Sequence, residues 1–222
     1  MGLRELKKEQ TRQHIADTAF RLFADRGFDQ VTVAEIARQA QVAEATVFNY
    51  FTSKEDLFYW QLEAFGTRLT DAVSARPAGE PVLAAFRRAL LDEGGLLAQV
   101  EAGDAQALDR LRAVNRVISG SPSLLAREQQ AFTRNADALA ALLAAETGAP
   151  ADDLRPQVAA NALLGLHRAL IGYVRRRVLS GDELTGIAAE VRKLTSTGFA
   201  LLEHGLGGYA AQPSGQDQSL TP

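Results

Sequence analysis

Apolar residues recur at three- and four-residue intervals along most of this chain, and no β-branched run alternates with polar residues, so the pattern predicts helices throughout. A first helix runs from about Lys7 or Thr11 to Arg26, with Ile15, Ala16, Ala19, Phe20 and Phe23 as its buried stripe. Gly27 caps its end, and Phe28 packs back onto it. Thr32 and Glu35 form a capping box: the hydroxyl accepts a free N–H of the new helix and the carboxylate reaches back to the Thr32 N–H. Val31 and Ile36 staple that entry. Val33, Ile36, Ala37 and Ala40 make a short amphipathic helix that ends near Gln41.

A third helix opens at Ala43 or Glu44, with Ala43, Thr46, Val47, Tyr50 and Phe51 on one side and Glu44, Ala45, Phe48 and Asn49 on the exposed face. Ser53 and Asp56 read as a second capping box, which starts a fourth helix and sets Lys54 in its first turn, where free N–H groups and a lysine suit a phosphate. Two short helices joined by a few residues, the second free to lie in a groove, match helix-turn-helix geometry. The fourth helix carries Leu57, Phe58, Trp60, Leu62, Phe65, Leu69 and Val73 on more than one face, as a helix between two domains would. Residues 76–81, RPAGEP, break it.

The remainder is rich in Ala, Leu and Arg with helical periodicity. Helices are expected over about 82–100, with a break at Gly94-Gly95, then 106–118, 124–147, 152–179 and 182–204. Only Ser180-Gly181 separates the last two, which predicts an antiparallel hairpin. Leu184, Ile187, Ala188, Val191, Leu194, Gly198, Leu201 and Leu202 form one stripe on the last helix, and Gly165, Ala169 and Gly172 a strip of small residues on its partner. The pair reads as half of a four-helix bundle completed by a second copy, or as two helices closing the monomer core. The fold class is therefore all-α: a three-helix head over 1–52, a helical bundle over 53–204, about nine helices in total, and a Gly-, Pro-, Ser- and Gln-rich tail over 205–222 expected to be disordered.

Composition narrows the chemistry. With 222 residues and 46% hydrophobic content the chain can bury a full core. It has no cysteine, which removes disulfides, thiolate metal sites and cysteine nucleophiles and suits a reducing compartment, so a cytoplasmic location is expected. No apolar run reaches the roughly 18 residues of a membrane span. The net charge of −3 argues against nonspecific coating of nucleic acid. Residues 1–54 nevertheless carry 8 Lys/Arg against 7 Asp/Glu, so the small positive bias lies in the head. A localised contact with a few phosphates is the expectation.

The dense run Thr32-Val33, Glu35-Ile36-Ala37, Ala40, Val42-Ala43, Thr46-Val47-Phe48, Tyr50-Phe51 and Ser53-Lys54-Glu55-Asp56-Leu57 resembles the signature of the TetR family of transcriptional regulators. The resemblance implies a homodimer joined through about residues 152–204, most simply a repressor. Its heads would sit in successive major grooves of a palindromic double-stranded operator, roughly 34–36 Å apart. It also implies DNA contacts by Thr32, Ala43, Glu44, Ala45, Thr46, Phe48, Asn49, Tyr50 and Lys54. Thr46, Tyr50 and Lys54 would hold phosphates, with Thr32 near the backbone, and Glu44, Ala45 and Asn49 would face base edges. The chemistry agrees in part: Asn49 can bridge adenine N6 and N7, Glu44 can accept from cytosine N4, and Ala45 or Phe48 can meet a thymine methyl. Three positions depart from the family: Ala43 replaces a frequent serine cap, Phe48 a frequent tyrosine, and Glu44 is acidic where DNA is expected.

The resemblance further implies a small-molecule pocket among the middle helices, for which Phe65, Phe86, Leu111, Asn115, Ile118, Phe132, Asn161 and His167 are candidates. Each also suits an ordinary core position. Catalysis is not expected: three scattered histidines, no phosphate-binding glycine loop, and no Glu or His one turn from His167 leave no convergent reactive set, metal site or cofactor motif. Two other classes remain, a helical scaffold that binds protein through the last hairpin and a ligand-sequestering or catalytic bundle. DNA binding by the head separates them from the regulator.

Overall fold

The computed structural model describes residues 2–91, 96–184 and 186–204, apart from the side chains of residues 3, 61–67, 96 and 98. The expected tail and the side chain of Phe65 lie outside the described residues. Ten helices are described: α1 (Leu3–Arg26), α2 (Val33–Gln39), α3 (Glu44–Tyr50), α4 (Lys54–Ser74), α5 (Val82–Leu90), α6 (Leu96–Glu101), α7 (Ala105–Ser119), α8 (Pro122–Thr147), α9 (Arg155–Leu179) and α10 (Ile187–His204). The helix expected over 82–100 is thus two, α5 and α6, and residues 92–95 between them lie outside the described set.

The head forms where local signals and burial agree. Both halves of the Thr32–Glu35 box are present: Thr32 Oγ1 accepts from the Glu35 N–H and Glu35 Oε2 accepts from the Thr32 N–H. Arg26 holds the same carboxylate at 3.0 Å. The Thr32 amide, then Arg26, keep the Glu35 carboxyl below its ordinary pKa. Ser53 accepts from the Asp56 N–H as expected, but the other half of that box is absent. The Asp56 carboxylate instead accepts from Arg127 of α8, because a charged partner across the head–body contact outcompetes a local amide. Gln41, in the turn between α2 and α3, has a φ of 55°, the left-handed geometry that reverses the chain there.

Ile15, Phe23, Val31, Ile36 and Val47 are fully enclosed or nearly so, and their cluster continues through Phe28, Leu57, Phe58 and Tyr59 into Val114, Val117, Ile118 and Leu124 of the body. Phe58 is its hub: its ring lies 5.9 Å from Phe23, 6.1 Å from Phe28 and 5.3 Å from Tyr59. The far half of α4 belongs to a second cluster, in which Leu69 and Val73 meet Phe86, Leu139, Leu163 and Phe199. One helix therefore serves two cores, as its two-faced apolar pattern predicts.

α8 and α9 run antiparallel, paired by Glu128–Arg175 at one end and Asp137–Gln157 at the other. α9 and α10 do the same, with Tyr173 donating to Glu190 while Leu166 fills the space beside Gly198. A Cβ on Gly198 would come within 2.3 Å of Leu166 Cδ1, so glycine sets the closeness of that crossing. The connection between α9 and α10 is longer than Ser180-Gly181: Leu184 tucks into the core and α10 opens only at Ile187. α9 likewise starts three residues later than expected, at Arg155, with Pro156 in its first turn where a missing N–H costs nothing.

Lys54 crosses the head from α4. Its ammonium donates to the carbonyls of Phe28 and Val31, both at 3.0 Å, and sits 4.2 Å from the Phe28 ring centre. Replacing it by methionine, which keeps the stem but loses both charge-assisted bonds, is expected to destabilise the protein by about 1–3 kcal/mol. Urea unfolding followed by the fluorescence of Trp60, the single tryptophan, measures this; an unchanged midpoint would show that the two bonds contribute nothing.

Candidate nucleic-acid interface and body cavity

α3 is seven residues long and is held from one side only. Val47 is buried, Thr46 and Tyr50 are half-buried, and Phe51, which ends the helix, is buried against Trp60 with ring centres 6.1 Å apart. The opposite face presents Glu44, Ala45, Phe48 and Asn49 to solvent, with Phe48 52% exposed. Phe48 and Asn49 thus stand side by side on a face that no other described residue covers. Ala43 makes no side-chain cap, so α3 opens with free N–H groups and lacks the roughly 1 kcal/mol a serine would contribute.

The remaining predicted contact residues are placed differently. Thr32 is exposed at the start of α2, but its hydroxyl is engaged with Glu35 on both sides, accepting from the amide and donating to the carboxylate at 3.3 Å. Lys54 is half-buried, and two of its three ammonium protons go to the loop between α1 and α2. Lys54 therefore shapes the head first, with a single N–H left for an outside acceptor.

Within the body lies a cavity of about 550 Å³, in the size range of small-molecule sites. Leu111, Asn115, Ile118, Phe132 and His167 line it, five of the residues singled out from the sequence. Two others do not. Phe86 is fully buried in the core shared by α4, α5, α8, α9 and α10, its ring 6.5 Å from Phe199. Asn161 is on the outer face of α9, where Nδ2 returns to the Gln157 carbonyl, because the helical turn that points His167 inward points Asn161 out.

The polar wall of the cavity was hidden in the sequence. Arg175 and Glu128 form a paired contact across it, Nη2–Oε1 2.6 Å and Nη1–Oε2 2.9 Å. Arg175 begins the run Arg175-Arg176-Arg177, which looks like a solvated charge cluster, and a partner 47 residues away leaves no local signal. Tyr59 also lines the cavity while its hydroxyl donates to the Leu124 carbonyl at 3.0 Å and its ring stands on Phe58. The Asn115 amide donates to Leu111 O at 2.8 Å. His167 is buried with its ring edge toward Phe132, centroids 5.7 Å apart, and burial pushes its pKa from 6.5 down to about 4. Apolar walls with a few polar fixtures suit an organic ligand.

Among known proteins, residues 15–59 match the family model described as bacterial regulatory proteins of the tetR family, and residues 80–207 match the one described as the MftR C-terminal domain. The chain is 31% identical over 159 residues to the transcriptional regulator TcmR of Streptomyces glaucescens, covering 70% of this chain and 69% of that one. It is 29% identical over 195 residues to the transcriptional regulator MftR of Mycobacterium tuberculosis, covering 83% and 90%. Its fold is similar to that of NalD of Pseudomonas aeruginosa, the secondary repressor of the MexAB-OprM multidrug efflux pump (TM-score 0.54, 20% identity, 86% and 97% coverage). It is also similar to the fatty acid degradation regulator FadR of Bacillus halodurans (TM-score 0.52, 21% identity, 91% and 97% coverage). A helix-turn-helix whose outer face is open, seated on a helical body and matched at both ends by the family's own domains, makes this chain a member of the TetR family of transcriptional regulators.

Proposed function

We propose that the protein is a cytoplasmic, ligand-responsive repressor that binds a palindromic operator as a homodimer and leaves it when a small organic molecule fills the body cavity. Residues 1–52 bind DNA and 53–204 bind ligand and partner. The observation that carries the DNA part is the open face of α3, where Glu44, Ala45, Phe48 and Asn49 are all exposed over a buried Val47. Asn49 reads adenine, Ala45 and Phe48 meet thymine methyls, and Glu44 accepts from cytosine or repels a wrong site. Ala43, with the free amides behind it, Thr46 and Tyr50 approach the backbone, and Thr32 and Lys54 contribute where their internal bonds leave an atom free.

Support for the dimer comes from the outer face of α9 and α10. Leu154 is 73% and Val158 65% exposed, and along the same side of α9 come Gly165, Ala169 and Gly172. A Cβ at Gly165 would meet nothing within 4 Å. Leu194 and Leu201 are exposed on α10. Small residues flanked by bare leucine and valine fit close approach of a second helix pair.

The ligand part rests on the cavity and on its shared wall. Tyr59, Val114 and Ile118 line the cavity and also belong to the head's core, so an occupant acts one side-chain layer from the DNA-binding unit. Linkage then requires the effector to favour the DNA-free arrangement, typically by 1–3 kcal/mol. With the His167 imidazole neutral at physiological pH, the Glu128–Arg175 charges matched and Arg134 exposed at its edge, the cavity favours a largely apolar effector.

Sequencing the genomic DNA recovered with purified protein, followed by footprinting, tests the operator reading; recovery of random sequence would end it. Asn49→Ala is expected to bind the recovered operator with discrimination relaxed at one base pair per half-site, by about 1–3 kcal/mol. Gly165→Arg is expected to give a monomer by light scattering, with monomer helix stability raised by roughly 0.5–1 kcal/mol and operator affinity lost. A dimer that survives this substitution would place the interface elsewhere. His167, whose folded pKa lies below its unfolded value, contributes full stability above about pH 6.5 and loses it as pH falls toward 4, by up to about 3 kcal/mol. Unfolding measured across that window should show the slope for wild type, and a flatter profile for His167→Gln.

A further inference from the structure

The first two turns of α1 pack against nothing else among the described residues. Residues 4–10 are all exposed, Thr11 and Arg12 are half-buried and Ile15 is the first fully buried side chain among the described residues, so α1 overhangs the three-helix core by about 12 Å at 1.5 Å per residue. A free helix end in water is marginal, and nothing in the core calls for it. The overhang carries Arg4, Lys7 and Lys8 together with Glu5 and Glu9.

These charges are sorted by side. At 100° per residue, Arg4 and Lys8 continue the line of Thr11 and Ile15, Lys7 shares its flank with His14, and Arg12 falls between Lys8 and Glu5. One contact says what lies along the basic flank: His14 Nε2 is 3.2 Å from the Ala40 carbonyl, at the turn between α2 and α3. Arg12, between the flanks, sits 5.1 Å from the ring centre of Trp60 in α4 and 5.4 Å from that of Phe51, the residue that ends α3. Glu5 and Glu9 fall on the other flank, in line with Ala16 and Phe20, and Phe20 faces Phe58 and Arg110 of the body. Lys7 thus extends the flank that meets the α2–α3 turn, Arg4 and Lys8 lie beside it, and the acidic pair falls on the side that Phe20 turns to the body. Arg4, Lys7 and Lys8 form no ion pair with any described residue, although Glu5 and Glu9 are on the same helix.

We propose that this overhang is a second DNA contact, in which Arg4, Lys7 and Lys8 bind backbone phosphates beside the groove occupied by α3. The inference rests on the operator-binding reading above. Phosphate contacts of this kind add affinity and salt dependence with little base preference, and they offset the low net charge of the head.

The test compares wild type with the triple variant Arg4→Ala, Lys7→Ala, Lys8→Ala on the operator recovered by wild type, titrated over a range of salt. Alanine preserves the helix, and circular dichroism with Trp60 fluorescence confirms the fold. The variant is expected to bind at least 10-fold more weakly at about 0.15 M salt, with the log–log salt slope reduced by about 0.9 for each phosphate that is no longer neutralised and base preferences unchanged. The pair Glu5→Ala, Glu9→Ala is expected to bind at least as well as wild type. A triple variant with the wild-type slope and affinity overturns the overhang contact while leaving operator binding intact. A wild-type protein that selects no operator overturns the reading beneath it as well.

Discussion

The packing of Phe58 and Tyr59 between the head helices and the α7–α8 corner is what the rest of the molecule depends on. α2 and α3 have seven residues each, too few to persist alone in water. They are held because Ile36 and Val47 are buried on a cluster whose other wall is Phe58, Val117, Ile118 and Leu124. Each fully buried aliphatic or aromatic side chain there contributes about 1.5–3 kcal/mol, so the shared cluster outweighs any single cap or ion pair. Head and body are consequently one packed unit at this joint. Asp56–Arg127 at 2.9 Å and Ser121–Asp29 at 2.8 Å fasten its rim.

That arrangement gives α4 its part in the proposed cycle. Its first turns belong to the head's cluster and its last turns to the body's second cluster, with Tyr59 standing at the cavity wall. Close-packed interiors shift between discrete arrangements and do not deform smoothly, so a molecule that displaced Tyr59 would be felt at Phe58 and through it at Phe23 and Phe28. Phe28 in turn lies under Lys54, whose ammonium holds the loop that launches α2. The chain of contacts from the cavity to the loop that opens α2 is short and aromatic.

Much of this was legible in the sequence, and the reason is locality. The Thr32–Glu35 box, the Gly27 cap, the exposed set Glu44, Ala45, Phe48 and Asn49, and the two-faced stripe of α4 all involve residues within a few positions of one another. Helical spacing also brought Leu111, Asn115, Ile118, Phe132 and His167 forward as pocket candidates, and these do line the cavity. The same reasoning misplaced Phe86 and Asn161, because periodicity says that a residue faces something without saying whether that is core, cavity or solvent. Asn161 and His167 differ by six positions, enough to turn one outward and the other in.

Taken alone, the chain determined most of its helices, the Thr32–Glu35 box, the open face of α3 and membership of a family, since each follows from interactions between near neighbours or from a contiguous motif. Tertiary structure decided which partner each long side chain takes. Lys54 turned to carbonyls 26 and 23 residues away, Asp56 left its own amide for Arg127, and Arg175 left an apparently solvated arginine run to meet Glu128 across the cavity. A flexible charged side chain has many acceptors within reach along the chain, and only the folded packing, by excluding water and fixing distance, selects one.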